Sequence, residues 1–268
     1  MLTPLLLAAA LLAQPDAGVK EELSPAMRLV GLTAEREYVE ELLDDGRHWR
    51  FGTATQGPVH VWRPRGYRAA DAALILYVHG FYTDVDAAML EHGLAAQFRD
   101  SGRNALFVVP EARSGRGDPV LWPVLADLLA EVRRRVKVEL PRGPVVVVGH
   151  SGAYKTIAAW LTHAPLAQVV LIDGLYGNDE DFAAWLGSRR PPRPRQLVLV
   201  GFDTQARAEA FLQRAPVAVR LDSLPYLYDE LPPAARRAPL LSLQSERFDH
   251  MGLITSGRLL PWLLHALR

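Results

Sequence analysis

Along this chain, short runs of consecutive apolar residues alternate with longer stretches in which apolar residues recur at helical spacing. Runs at residues 59–62, 73–79, 105–109, 144–148, 168–172, 196–200 and 240–244 are rich in Val, Ile and Leu, and each predicts a β-strand. Two of them, Val145-Val146-Val147-Val148 and Leu197-Val198-Leu199-Val200, are apolar at every position. That is the pattern of parallel strands covered on both faces, so these two are expected at the centre of the sheet. Between the runs, residues 87–98, 124–136, 154–161 and 206–212 carry helical spacing, and a closing helix is expected from Leu253 onward. Strands alternating with helices predict an α/β fold, with a mostly parallel central sheet covered on both faces.

The 268 residues suit one domain, expected over 25–268, with a core large enough to need no disulfide or structural metal. The Pro/Arg-rich stretch Arg189-Arg190-Pro191-Pro192-Arg193-Pro194-Arg195 reads as a surface connector, too short to divide domains. Thirty basic and thirty acidic residues cancel (Lys+Arg 30, Asp+Glu 30), removing the field that would gather a polyanion, so no nucleic-acid partner is expected. Arg133-Arg134-Arg135 reads as the solvated face of its helix. The absence of Cys (Cys 0) excludes disulfides, thiolate nucleophiles and Cys-ligated metals. Residues 1–17 form an apolar leader ending in small residues, and it resembles a secretory signal cleaved near Ala13 or Ala17 although no Lys or Arg precedes the run. Export to the periplasm or the extracellular space is the expectation, and no stretch is long enough for a stable membrane span.

The sharpest chemical signal is Gly149-His150-Ser151-Gly152-Ala153, directly after the four-valine strand and directly before the helix that opens at Tyr154. A serine on a tight turn between strand and helix projects its hydroxyl into the crevice at the carboxyl end of the sheet. Adjacent side chains diverge on such a turn, so His150 is expected to pack and not to act as base. In this context the pentapeptide resembles the nucleophile elbow of the α/β-hydrolase superfamily, and by strand order the resemblance spans about residues 55 to 268. The last position of the motif is Ala153 where the family has Gly, a difference of one methyl.

The resemblance implies a three-layer α/β/α sandwich, a Ser-His-Asp triad and an acyl-enzyme, with Ser151 as nucleophile. One oxyanion donor would be the Gly152 amide. The second would be the amide of Phe81 or Tyr82, in the His79-Gly80-Phe81-Tyr82 loop, with His79 bracing that loop. The base would be His250, on the loop after the strand at 240–244, whereas His265 lies in the terminal helix. Two acids stay open. Asp173 ends the strand after the nucleophile strand, the position of a minority of the family, and Asp203 follows the next strand, the position of the majority. Asp249 and Glu246 stand behind them.

Only residues 174–195 separate the strand before Asp173 from the next one, so little or no lid is expected. An open site suits a soluble ester or amide of small size, with Tyr82, Trp122, Tyr176 and Trp185 as pocket candidates. No metal and no organic cofactor is implied. The expected activity is that of a carboxylesterase-like serine hydrolase. The alternatives are an acyltransferase using the same acyl-enzyme and a non-catalytic binding protein that kept the fold.

Overall fold

In the computed structural model, the described residues are 38–188, 194–214, 217–226 and 231–267. The apolar leader at 1–17, the expected domain start at residue 25 and most of the 189–195 connector lie outside them. The chain begins with a hairpin, β1 (Val39–Leu43) and β2 (Gly46–Phe51), followed by β3 (Val59–Pro64) and β4 (Ala73–Val78). Helices α1 (Val85–Glu91) and α2 (Leu94–Asp100) lead to β5 (Ala105–Pro110) and α3 (Leu125–Arg135). The central unit is β6 (Val145–His150), a single 3₁₀ turn at Ser151–Ala153 and α4 (Tyr154–Trp160). There follow β7 (Leu166–Ile172), α5 (Asp179–Leu186), β8 (Gln196–Gly201), α6 (Gln205–Leu212) and β9 (Ala218–Leu221). The fold closes with α7 (Pro233–Arg237), β10 (Leu240–Gln244), α8 (Gly252–Thr255) and α9 (Leu259–Ala266).

The strands form one 10-stranded sheet in the order β1-β2-β3-β5-β4-β6-β7-β8-β10-β9. From β5 to β9 in that order every pairing is parallel, while β1, β2 and β3 attach antiparallel at one side. As expected from their uninterrupted apolar residues, β6 and β8 have neighbours on both sides. Pleating divides their side chains between two cores. Val145 and Val147 join Leu74, Leu76 and the apolar faces of α3, α4, α5 and α6, whereas Val146 and Val148 join Ile75, Tyr77 and those of α1, α2, α8 and α9. Each fully buried Val or Ile of these strands contributes roughly 1.5–3 kcal/mol relative to an exposed one. The result is the three-layer α/β/α sandwich expected.

The helix expected over 87–98 is two helices, because the chain turns through a left-handed Gly93 (φ 58°) between α1 and α2. The closing helix is likewise split into α8 and α9, with Gly257 between them at φ 68°. Among the described residues no helix is long and apolar enough to cross a membrane.

Candidate active site

Ser151 lies where β6 ends, in the middle of the sheet. Its backbone adopts φ 53°, a left-handed conformation unusual for a residue other than Gly. That strain lets the strand pass directly into the 3₁₀ turn that leads to α4, and such outliers are held only where packing over-determines them. The packing is visible. A Cβ on Gly80 would stand 2.9 Å from the Ser151 Cβ, so the loop after β4 touches the serine at a distance only Gly allows. The departure from the family pentapeptide is also explained, since a Cβ on Gly149 would lie 2.8 Å from the Ala153 Cβ. The bare Gly149 leaves the space that the Ala153 methyl fills, and Ala153 is buried.

The loop after β10 carries His250, whose Nδ1 donates to Asp173 Oδ2 at 2.7 Å. Asp173 follows β7, has φ 42° and is fully buried. Its carboxylate also accepts the amides of Phe202 (2.9 Å), Asp203 (3.2 Å) and Thr204 (2.8 Å) and the Thr204 hydroxyl (2.8 Å). Burial by itself would push this carboxyl up, but the His250 hydrogen bond and then the amides and hydroxyl of the 202–204 loop hold it well below the usual carboxylate range. The same bond raises His250 above its ordinary value, against the opposing pull of partial burial.

Asp203 is placed differently. Its side chain is 55% exposed and its carboxylate is 3.8 Å from His250 Nδ1, beyond hydrogen-bond reach. Its backbone amide, not its carboxylate, joins the network. Asp249 is exposed and caps the start of α8 through Gly252 N at 2.7 Å, and Glu246 is exposed. Asp173, Asp203 and His250 have ligand atoms within 4.8 Å of one another. Because Asp173 already accepts from every donor named above, its lone pairs are committed to hydrogen bonds, and the cluster does not fit a metal site.

The loop after β4 approaches the serine from the side of β4. The Tyr82 amide donates to Ser114 O at 2.7 Å, so it is not free to meet an oxyanion. The Phe81 amide has no hydrogen-bond partner among the described residues. Gly152, at the open start of the helical turn, has no intrahelical acceptor for its own amide. His79 is buried, with Nδ1 donating to Gly80 O at 2.8 Å and Nε2 2.7 Å from Glu111 Oε1. Glu111 Oε2 accepts from Val85 N at 3.1 Å, which ties the loop to the start of α1. His79 therefore braces this loop, as expected.

His150 packs, also as expected, but against a specific target. Its Nε2 donates to the His250 carbonyl at 3.0 Å and its ring lies 4.6 Å from the His250 ring. Burial first, and the neighbouring His250 second, lower it to about 3. His265 is exposed at the end of α9.

Ser151 opens into a cleft of about 400 Å³ whose lining includes Tyr82, Tyr154 and Tyr176 together with Arg116 and Lys155. Burial, then Asp173 and Asp203, raise the Tyr176 hydroxyl to about 12. Of the four expected pocket residues, Tyr82 and Tyr176 line this cleft. Trp122 and Trp185 are core residues, 3% and 4% exposed, because α3 and α5 pack them against the sheet. Sequence reasoning missed Glu111, Thr204, Arg113 and Arg116. Glu111 directly follows the last residue of β5 and Thr204 directly precedes α6, positions at the sheet's carboxyl edge that carry a signal; Arg113 and Arg116 sit in a loop without one.

A serine at the carboxyl end of the central strand, a His after the last parallel crossover and a Gly-containing loop beside the serine, on this sheet order, define the α/β-hydrolase fold. No family model and no curated protein matches the sequence. Among solved structures, the chain is similar to an S-formylglutathione hydrolase from Agrobacterium tumefaciens, with TM-score 0.55 and 11% identity over 86% of this chain and 99% of that one. It is also similar to the feruloyl esterase module from Clostridium thermocellum, with TM-score 0.51 and 14% identity over 88% and 96% of the two chains. A third is FphF, a fluorophosphonate-binding serine hydrolase from Staphylococcus aureus, with TM-score 0.50 and 11% identity over 85% and 98%. At such identities the likeness is one of fold.

Proposed function

We propose that this chain is a serine hydrolase that cleaves a carboxylic ester, or an amide, through an acyl-enzyme on Ser151. The observation that carries the reading is the 2.7 Å hydrogen bond from His250 Nδ1 to the buried Asp173, beside a serine held at positive φ. Donation from Nδ1 fixes the neutral imidazole with its lone pair on Nε2, the form able to take a proton from a hydroxyl.

In the first half-reaction Nε2 accepts the Ser151 proton as Oγ bonds to the substrate carbonyl carbon. The amides of Gly152 and Phe81 receive the oxyanion, and in a well-studied case removing one such donor costs about 2.7–4 kcal/mol in kcat. The imidazolium, stabilised by Asp173, then protonates the departing alcohol or amine as its bond to carbon breaks. Water repeats the sequence in the second half-reaction, giving its proton to His250 and releasing the acid. His150, bonded to the His250 backbone and in ring contact with it, keeps the base in place without touching substrate.

The neighbours being esterases and hydrolases supports this chemistry, and the short connection holding α5 supports a site open to small substrates. A fluorophosphonate probe tests it directly. The expected outcome is one label on Ser151, lost in Ser151→Ala and in His250→Ala. A folded wild-type protein inert to the probe and to p-nitrophenyl acetate would favour a binding protein instead.

A further inference from the structure

Among the described residues that line the cleft around Ser151 are two cations, Arg116 and Lys155, and no carboxylate, while Asp203 acts on the Tyr176 wall from beside it. Lys155 stands on the first turn of α4, so the turn that positions Ser151 positions it too. Its ammonium donates to Arg116 O at 3.2 Å. The same carbonyl accepts from Nη2 of Arg113, which is buried, and Arg113 Nε donates to Gly115 O at 3.0 Å. Ser114 O accepts the Tyr82 amide, and the Arg113 guanidinium lies over the Phe81 ring, 5.5 Å from its centroid. The loop that carries Arg116 is thus fastened to the helix after the serine and to the loop beside it.

The two charges themselves are left open. Among the described residues neither Arg116 nor Lys155 has a carboxylate partner, whereas Arg68, Arg99, Arg207 and Arg214 each pair with an acid. A solvated surface cation attracts an anion only weakly. Two that converge on one concave, aromatic-walled site focus their field there, and they keep unused donors for charge-assisted hydrogen bonds.

We propose that the substrate carries an anionic group, a carboxylate or a phosphate monoester, on the arm lying against Arg116 and Lys155, and that these two side chains select for it. The proposal rests on Ser151 being the nucleophile. It calls for matched esters differing only in charge: the mono-p-nitrophenyl ester of glutaric acid against p-nitrophenyl valerate, and 4-acetoxyphenylacetate against 4-ethylphenyl acetate. A third pair bears a phosphate monoester on the alcohol arm in place of the carboxylate.

The measured quantity is the charged-to-neutral ratio of kcat/KM within each protein, which cancels any general loss of activity. In wild type at low salt the ratio is expected to reach about tenfold for at least one pair. It should drop about threefold in each of Arg116→Gln and Lys155→Gln and should decline as NaCl is added, since exposed charges are screened. Which pair responds tells the acyl arm from the alcohol arm and carboxylate from phosphate. A wild-type ratio of one or less in all pairs, or a ratio unmoved by both substitutions, overturns the proposal. If Ser151 takes the fluorophosphonate label while the ratios stay flat, only this proposal fails. If the label is also absent, the hydrolase reading fails with it. Protection of Ser151 from the probe by glutarate, weakened in both variants, gives a readout that does not depend on turnover.

Discussion

Replacing Asp173 by Asn keeps the shape of the side chain and removes one acceptor, and the network fixes the consequence. Oδ1 accepts three hydrogen bonds, from Phe202 N, Thr204 N and Thr204 Oγ1, while Oδ2 accepts two, from Asp203 N and His250 Nδ1. The Asn oxygen is therefore expected at the Oδ1 position, which places its NH₂ against His250 Nδ1. To receive that donor the imidazole must move its proton to Nε2, and it then has no lone pair for the Ser151 hydroxyl. In the worked serine-protease case the wrong tautomer costs about 10⁴ in kcat. We expect a loss of roughly 10³ to 10⁴ here, about 4–5.5 kcal/mol at ~1.36 kcal/mol per decade. Stability should fall as well, by about 1.5–3 kcal/mol for one charge-assisted bond. Asp203→Asn leaves the Asp203 amide in place and alters a carboxylate 3.8 Å from the ring, so its kcat should stay within about tenfold. Initial rates on p-nitrophenyl acetate, with circular dichroism to show folding, decide the matter. Asp173→Asn near wild type beside an impaired Asp203→Asn would refute the reasoning.

Because Asp173 raises His250, and the base works only when neutral, the acid limb of kcat/KM is expected above pH 6.5; a midpoint below 6.5 counts against the assignment. Buried His150 and His92 are lowered to about 3 and about 4, so folding stability is retained above the unfolded value of 6.5 and lost as pH falls toward the folded ones. Urea midpoints should decline below pH 6.5, at up to ~1.4 kcal/mol per unit for each histidine, and His92→Gln should flatten the decline. His250 works the other way, adding stability as pH falls through its raised value to 6.5, and Asp173 adds its own loss only below about 3.9. Gly80→Ala should lower kcat by about 10²-fold, since its methyl would sit 2.9 Å from the Ser151 Cβ; a loss under threefold would show that the contact yields freely.

The parallel strands were legible because burial on both faces leaves few polar positions to break their apolar runs, Gln168 and Ser242 being buried exceptions. The strands that were not legible lie at the margins of the sheet. β1 carries Glu40 and Glu41 and has no buried residue, and β9 is four residues long with its side chains largely in water. An edge strand needs little apolar sequence and leaves little trace. The hairpin did leave one: Asp44-Asp45 ahead of Gly46, both at positive φ, is the chemistry of a two-residue turn. α5 escaped notice because only Phe182 and Trp185 of its short span are buried.

The choice of acid was hidden for a related reason. Both Asp173 and Asp203 follow apolar parallel strands, and the register pairs Ile172 with Val200, so the two strands end side by side beneath the same histidine. Nothing local to either residue separates them. What does separate them is the direction in which the loop after β8 points its amides. Phe202, Asp203 and Thr204 all turn their N–H groups onto Asp173, and the Thr204 hydroxyl joins them. Such a nest holds a carboxylate ionised after burial, which an isolated buried Asp would not be. The loop after β8, where the resemblance would place the acid, here supplies the hydrogen bonds to a carboxylate borne one strand earlier. In Asp173→Asn the native Asp203 should therefore fail to take over as partner of His250: its side chain is 55% exposed, 3.8 Å from the ring, and among the described residues accepts no hydrogen bond that would hold it there.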